Sequence, residues 1–143
     1  AVQLFSQALS RAPDDLIVLQ DYLVSLVESK QAQQADRVLD QYLTKAPRDP
    51  NLWRLAGRMY VSQGKTDQAE KAFRKAVELA PDVALVHYEL GRLYLSERKL
   101  PAAESAFQAA LKKEETNSEV HTALGMVLAL GIDRGWSYWG YRM

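Results

Sequence analysis

The chain has 143 residues, of which 48% are hydrophobic and 25% charged, the composition of a folded domain rather than a disordered one. Eighteen Lys and Arg balance eighteen Asp and Glu, so the chain as a whole offers no general attraction for nucleic acid or anionic lipid. The absence of cysteine excludes disulfides and a cysteine nucleophile, and no apolar run is long enough for a transmembrane segment.

The sequence repeats itself with a period of 34 residues. Seven columns keep this register: Trp53, His87 and His121; Gly57, Gly91 and Gly125; Tyr60, Tyr94 and Leu128; Ala35, Ala69 and Ala103; Phe5, Leu39, Phe73 and Phe107; Ala8, Ala76 and Ala110; Pro13, Pro47 and Pro81. Such self-similarity is typical of architectures in which each unit stacks on the next.

In chain order, this register divides the sequence into helical hairpins. We predict the second helix of a truncated repeat, three full repeats, the first helix of a further repeat, and a non-repeat aromatic tail, at residues 1–15, 16–49, 50–83, 84–117, 118–130 and 131–143. Because the chain opens in the middle of a repeat, we interpret it as a piece of a longer protein.

Start and stop signals support two helices within 50–83. A short polar turn around Gly64 separates the helix of Trp53 from the helix of Phe73. Asp67 followed by Glu70 predicts an N-cap with its reciprocal partner. The pair Asp49-Pro50 predicts the start of a first helix, and so does Asp82 for the next repeat.

These columns resemble the tetratricopeptide repeat (TPR) signature. In 50–83 the match runs through Trp53, Ala56-Gly57, Tyr60, Ala69, Phe73, Ala76 and Pro81. The unit 84–117 departs from the signature at His87 and Glu115, and 16–49 is more divergent. The resemblance implies an all-α fold, a right-handed superhelical solenoid of antiparallel helix pairs.

The resemblance also implies a concave groove, lined mainly by the first helices, that holds a partner protein or peptide. Carried over position by position, the predicted partner-binding residues are Gln20, Asn51, Arg54, Arg58, Leu85, Tyr88 and Arg92. Apolar groove positions such as Ile17, Val24 and Leu95 suit an extended apolar strand or a helix instead.

Arginines dominate the centre of this set. Arg54 and Arg58 are four residues apart on one helix face, and Arg92 follows Arg58 by one repeat. With Tyr88, they predict a partner that is acidic or has a free C-terminal carboxylate. The set does not reproduce the lysine–asparagine–asparagine–lysine–arginine clamp of chaperone-binding family members. The alternative is that these arginines pair with acidic neighbours and bind nothing.

No pattern in the chain indicates an enzyme, a cofactor or a metal. His87 and His121 occupy the column of Trp53, and we interpret both as packed structural residues rather than a metal pair. No phosphate-binding loop or nucleophile motif is present.

The tail from residue 131 breaks the register. It gathers Trp136, Tyr138, Trp139 and Tyr141 into six positions, a possible second contact for a partner. Three interpretations stay open: a cap over the last repeat, the beginning of another domain such as an aromatic strand at a membrane interface, or a binding or cloning-derived sequence.

The sequence therefore predicts a scaffold or adaptor that binds a partner protein. The alternative is a structural spacer in a larger assembly, such as a bacterial export or envelope complex. Self-association through the open repeat ends is a further possibility, and nucleic acid is not expected as a ligand. The compartment stays open between cytoplasm and periplasm.

Overall fold

A computed structural model describes residues 2–113 and 118–133 of the chain. Within these ranges it contains eight α-helices and no strand, which confirms the all-α prediction. The helices are α1 (Val2–Arg11), α2 (Leu16–Glu28), α3 (Ala32–Lys45), α4 (Pro50–Ser62), α5 (Thr66–Leu79), α6 (Ala84–Ser96), α7 (Leu100–Lys113) and α8 (Ser118–Asp133). Of the helices described, none is both long enough and apolar enough to cross a membrane.

The helices form two compact units, residues 1–75 and 76–143. The core of the first unit is mainly aliphatic and is built from α2, α3 and α4, with Leu19, Leu23, Leu26, Leu39, Leu52 and Ala56 among its buried residues. The core of the second unit includes Val86, Leu90, Phe107, Ala110, Val120 and Val127. Apolar residues at helical spacing thus supply each unit with its own buried core.

Aspartates cap two of the first helices. Asp49 is the N-cap of α4, where its Oδ1 accepts a hydrogen bond from the backbone N–H of Asn51 at 2.9 Å and Pro50 is the first helical residue. This confirms the predicted start at Asp49-Pro50. Asp15 caps α2 in the same way, with its side chain accepting from the N–H groups of Ile17 and Val18.

Two other aspartates lie at helix starts without being the N-cap, which was predicted for Asp67 only. The N-cap of α6 is Val83, which makes no side-chain cap, while the carboxylate of Asp82 accepts from Lys113 Nζ at 3.1 Å. The N-cap predicted at Asp67 lies inside the first turn, because α5 already begins at Thr66. In both places the helix begins close to the aspartate, but that carboxylate is not the N-cap.

Glycine allows the two helices of a hairpin to approach closely. A Cβ added at Gly57 would lie 2.6 Å from the ring of Phe73, and one added at Gly91 would lie 2.6 Å from the ring of Phe107. Real Cβ atoms do not come that near to a ring carbon, so the ring occupies the space that the missing side chain leaves.

The turns inside the three full repeats share a left-handed residue. Gly64 has a φ of 73°, and Lys30 and Arg98, at the same place in the neighbouring repeats, have φ of 63° and 61°. Position 132 is the next place in this register, and there the sequence has isoleucine, a β-branched residue that rarely adopts positive φ. The helix α8 continues through it and has 16 residues, where α2, α4 and α6 have 13 each. The first helix expected at 118–130 is therefore longer than predicted.

Candidate binding groove

All seven residues predicted for partner binding lie on the first helices of their repeats. Gln20 is on α2, and the remaining residues are Asn51, Arg54 and Arg58 on α4 and Leu85, Tyr88 and Arg92 on α6. They are divided between the two compact units, so each group is described within its own unit.

In the first unit, two arginines hydrogen-bond to neutral side chains. The guanidinium of Arg58 donates to Gln20 Oε1 at 3.4 Å, which connects α4 to α2. Arg54 donates to Asn51 Oδ1 at 3.2 Å, one turn earlier on the same helix. The structure thus brings the four predicted residues of this unit into two pairs. Both bonds are long for N–H···O geometry and add little to stability.

Exposed aliphatic side chains accompany these polar pairs. Ile17 and Val24 on α2 are 75% and 38% exposed, and Val61 on α4 is 44% exposed. Ile17 and Val24 are seven residues apart, so they lie two turns apart on one face of α2, with Gln20 between them. This face therefore combines apolar surface with amide and guanidinium donors.

In the second unit, packing positions an arginine over an aromatic ring. The buried ring of Phe107 on α7 packs in a tilted contact against Tyr88, with 5.8 Å between ring centroids. The guanidinium carbon of Arg92 lies 5.9 Å from the centroid of Tyr88, within the range of a cation–π contact. Because Gly91 leaves space for Phe107, the same glycine helps to fix the ring that supports Arg92.

Arg92 presents its guanidinium at the surface of α6. The residue is exposed, and among the side chains that the structure describes no carboxylate forms an ion pair with it. A guanidinium with a fixed ring beneath it and an open face can bind a carboxylate through two parallel N–H···O bonds.

A groove of about 500 Å³ opens beside this pair, between α6 and α8. We call it the Tyr88 groove, and it is lined by Tyr88, Arg92, Leu95, Ser96, Thr122, Ala123 and Met126. Its surface is apolar along Leu95, Ala123 and Met126, whereas Arg92 and the hydroxyls of Tyr88, Ser96 and Thr122 supply hydrogen-bonding groups. Leu85 is 43% exposed on α6 but does not line this groove.

A polar network that the sequence analysis missed connects α3 to the turn between α4 and α5. Asp36 accepts hydrogen bonds from Lys65 Nζ at 2.8 Å and from Gln63 Nε2 at 3.2 Å. The nearby Tyr60 has its pKa raised by burial first, and then by the negative charges of Asp40 and Asp36. The sequence gives no periodic signal for this network, because Asp36 and Lys65 are 29 residues apart and do not follow the 34-residue period. This network holds one repeat against the next.

The histidines behave differently from each other. His87 is partly buried, and its Nε2 lies 2.7 Å from the carbonyl oxygen of Pro81, which agrees with its interpretation as a packed structural residue. His121 is exposed, and its interpretation as a structural residue stays a prediction. In residues 2–113 and 118–133 there is no group of three side chains suited to hold a metal ion.

The aromatic tail was predicted as a second contact for a partner. The residues of this prediction lie outside the described part of the chain: Trp136, Tyr138, Trp139 and Tyr141.

Comparison with known families agrees with the helical hairpins and their register. One tetratricopeptide repeat model matches residues 1–59, and a second matches residues 55–119 and 88–131. The chain belongs to the tetratricopeptide repeat family. TPR units are typically non-enzymatic modules for protein interaction. No curated protein sequence gives a significant match.

Solved TPR structures share the fold at low sequence identity. A crystal structure of MamA has a TM-score of 0.71 and 15% identity, covering 94% of this chain and 77% of that one. The first TPR of Spaghetti (RPAP3), bound to the HSP90 peptide SRMEEVD, has a TM-score of 0.66 and 20% identity, covering 78% and 88%.

A third structure is longer than this chain. An IFIT1 monomeric mutant with Gppp-AAAA has a TM-score of 0.71 and 19% identity, and the match covers 92% of this chain but 33% of that one. At these identities the comparisons establish the TPR fold and leave the ligand open.

Proposed function

We propose that this TPR chain is a scaffold or adaptor whose Tyr88 groove binds a segment of a partner protein. The observation that carries the proposal is the exposed guanidinium of Arg92, held over Tyr88 at the edge of an apolar groove. Carboxylates are the natural partners of such a guanidinium, and the apolar lining suits an aliphatic side chain. The ligand is therefore an acidic segment, or a C-terminus with its free carboxylate, that also carries an apolar residue.

Helical hairpins of this family can present such a ligand site on rigid elements. The solved TPR of Spaghetti (RPAP3) is bound to a short acidic peptide, which supports a peptide as the ligand class. The chaperone-binding clamp is not reproduced here, so we do not propose SRMEEVD itself as the ligand. Binding through a groove of this kind needs no catalytic residue, and we propose no enzymatic role.

Fluorescence polarisation with labelled heptapeptides tests this function. The probes are acidic peptides that end in an aliphatic residue, each made with a free C-terminus and with a C-terminal amide. We expect saturable binding of at least one acidic peptide, weakened by roughly 10-fold or more in Arg92→Gln, because one charge-assisted hydrogen bond contributes about 1.5–3 kcal/mol.

The matched control is Arg48→Gln. It removes the same charge from an exposed residue in the turn before α4, in the other compact unit. Equal losses in both variants would mean general electrostatic attraction rather than a site at Arg92. If no peptide of the set binds the wild-type chain, the proposal of an acidic ligand is wrong.

A structural spacer is the second candidate. It is favoured by the first unit, where Arg58 bonds to Gln20 and the bonds of Asp36 connect neighbouring repeats. A spacer would bind no short peptide, and its interactions would involve whole neighbouring proteins. Mapping of hydrogen exchange in a complex distinguishes the two, since a peptide protects mainly α6 and α8.

Nucleic acid is not proposed as a ligand. The balanced formal charge supplies no basic surface overall, although the IFIT1 structure contains Gppp-AAAA. Binding of the same oligonucleotide with a steep loss of affinity in salt would contradict this. We also propose that the chain can self-associate.

A further inference from the structure

The charges on the two helices beside the Tyr88 groove limit how acidic its ligand can be. The sequences of α6 and α8 together contain one Lys or Arg, which is Arg92, and three acidic residues, Glu89, Glu119 and Asp133. A first carboxylate of a ligand meets the guanidinium of Arg92, but a second carboxylate meets no further cation on these helices and is repelled by their negative charge. The groove therefore suits a ligand with one carboxylate rather than an acidic run.

The two helices offer different chemistry at equivalent places. Arg92 on α6 and Met126 on α8 are 34 residues apart, so they hold the same position in successive repeats, and both line the groove. Met126 is 54% exposed, and the buried Ala123 lies about one turn before it on α8. The groove thus has an anchor for a carboxylate on α6 and an apolar surface on α8.

The spacing of the two helices sets the distance between these two anchors. Cα atoms of α6 and α8 approach within 8 Å of each other, and helices packed side by side have axes about 8–10 Å apart. In an extended segment, side chains two residues apart project to the same face, and their Cα atoms are separated by roughly 7 Å. Side chains one or three residues apart project to opposite faces, and those four apart are separated by about 13 Å. The two anchors therefore match a spacing of two residues.

An extended segment also fits the groove better than a helix. A helix with its side chains is about 10–12 Å wide. It would therefore rest on both α6 and α8 and enter the volume of about 500 Å³ only through its side chains. A carboxylate at a C-terminus matches less well, because it continues the main chain. The carboxylate of an Asp or Glu side chain instead projects to the same face as an apolar side chain two residues away.

We propose that the Tyr88 groove recognises an extended segment in which one Asp or Glu and one aliphatic residue are two positions apart. The carboxylate binds the guanidinium of Arg92, whose central carbon lies 5.9 Å from the ring centroid of Tyr88. The aliphatic side chain packs on Ala123 and Met126. The inference rests on the proposed peptide-binding function and specifies the ligand of that same site.

A series of blocked peptides tests the spacing. Each is a heptapeptide of serine and alanine, acetylated and amidated, in which one Glu and one Leu are placed one, two, three or four positions apart. The readout is the methyl signal of Met126 in the chain labelled with carbon-13 at its methionine methyl groups, followed by NMR up to millimolar peptide. Met59 is 4% exposed and lies in the other compact unit, so its signal is the internal control.

We expect the peptide with a spacing of two to bind roughly 5-fold more tightly than the other spacings, because a misplaced leucine loses its apolar contacts. Exchange of its Glu for Gln should weaken binding by about 10-fold, through loss of the charge-assisted bond to Arg92. A second Glu should add no affinity. A free C-terminus should bind no more tightly than the amide.

Protein variants locate the two anchors, with fluorescence polarisation of labelled peptides as the measurement. Met126→Gln keeps a good helix former on α8. It should weaken the Glu–Leu peptide by roughly 5-fold and leave an analogue with alanine in place of leucine unchanged. Arg92→Gln should weaken both peptides equally, since both carry the glutamate. The matched control is Val61→Gln, which changes a 44% exposed residue of α4 in the other unit and should bind like the wild type.

The outcomes separate this inference from the proposed function. If Arg92→Gln weakens binding but all spacings bind equally, the groove is a peptide site and the spacing rule is wrong. Tightest binding at a spacing of four would indicate a helical ligand, and tighter binding of a free C-terminus or of the second Glu would indicate another ligand class. Each of these results overturns the inference and leaves the proposed function standing. If no peptide shifts the Met126 signal, the proposed function fails as well.

Discussion

The indole Nε1–H of Trp53 donates a hydrogen bond to the backbone carbonyl of Pro47 at 2.7 Å. One repeat later, His87 Nε2 lies at the same distance from the carbonyl of Pro81. Because a carbonyl oxygen can only accept, the imidazole must carry its proton on Nε2. Two different ring types thus make the same bond between a first helix and the loop before it.

In the preceding repeat, the equivalent carbonyl accepts its hydrogen bond from a side chain on a different helix. Leu19 occupies the column of Trp53 and has no polar atom to donate. There the carbonyl of Pro13 accepts from the hydroxyl of Tyr42 on α3, at 2.9 Å. The proline carbonyl in this loop is therefore hydrogen-bonded at all three places, even though the donor changes.

We predict that His87→Phe lowers the free energy of unfolding by about 1 kcal/mol, the usual net contribution of one such hydrogen bond. Phenylalanine keeps an aromatic ring but removes the donor. His87→Trp should restore the loss, because it recreates the arrangement of Trp53 and Pro47. Denaturant unfolding of the three proteins measures this. Equal stability of the Phe and Trp variants would contradict a role for the bond.

We predict that Lys30→Gly and Arg98→Gly each raise the free energy of unfolding by about 1 kcal/mol, since glycine adopts positive φ without the steric cost that other residues meet. Gly64→Lys should have the opposite effect. The control is Lys30→Ala, which removes the charge but keeps the Cβ, and it should not be stabilising. Thermal and denaturant unfolding check all four variants.

We predict opposite effects of alanine at two glycines of the same column. Gly57→Ala should destabilise the chain by about 1–3 kcal/mol, because the new methyl group would overlap the ring of Phe73. Gly125→Ala should stabilise the monomer by roughly 1 kcal/mol, since none of the described residues lies within 4 Å of the new methyl group and alanine is the better helix former. Unfolding is measured at low protein concentration, where self-association does not contribute. Similar effects at both sites would mean that Gly125 is not open.

We predict that Glu104→Gln stabilises the chain at neutral pH. Burial raises the pKa of the Glu104 carboxyl, so the fold favours its protonated form. The contribution of this group to stability is complete below its unfolded-state pKa and is lost as the pH rises through the higher folded-state pKa. Glutamine stays neutral, so its advantage should appear at neutral pH and disappear in acid.

The measurement for Glu104 is the free energy of unfolding of both proteins from acidic to neutral pH. Gln108 Nε2 donates to Glu104 Oε1 at 2.9 Å, and the amide oxygen of glutamine can accept that bond as well. Glu28→Gln removes the same charge from an exposed residue at the end of α2 and serves as the control. A stability gain that is constant with pH would contradict titration of Glu104.

The sequence alone determined the repeat, its register and the identity of its packing columns. A 34-residue period arises when equivalent residues have equivalent neighbours, so the period places Gly57 and Phe73 in columns that recur in the neighbouring repeats. The same register placed Tyr88 and Arg92 on one helix as candidates for the groove. Whether these residues bind a partner stays a prediction.

The tertiary structure decided the features that depend on what surrounds a residue. Lys30 and Arg98 are not residue types that favour positive φ, and the turn that requires it is imposed by the two helices it joins. The contact of Arg92 with Tyr88 depends on the ring of Phe107, which comes from another helix. Gly125 has the same identity and register as Gly57, and only the packing shows that none of the described residues lies within 4 Å of the position its Cβ would take, because a periodic sequence does not reveal the neighbours of each copy.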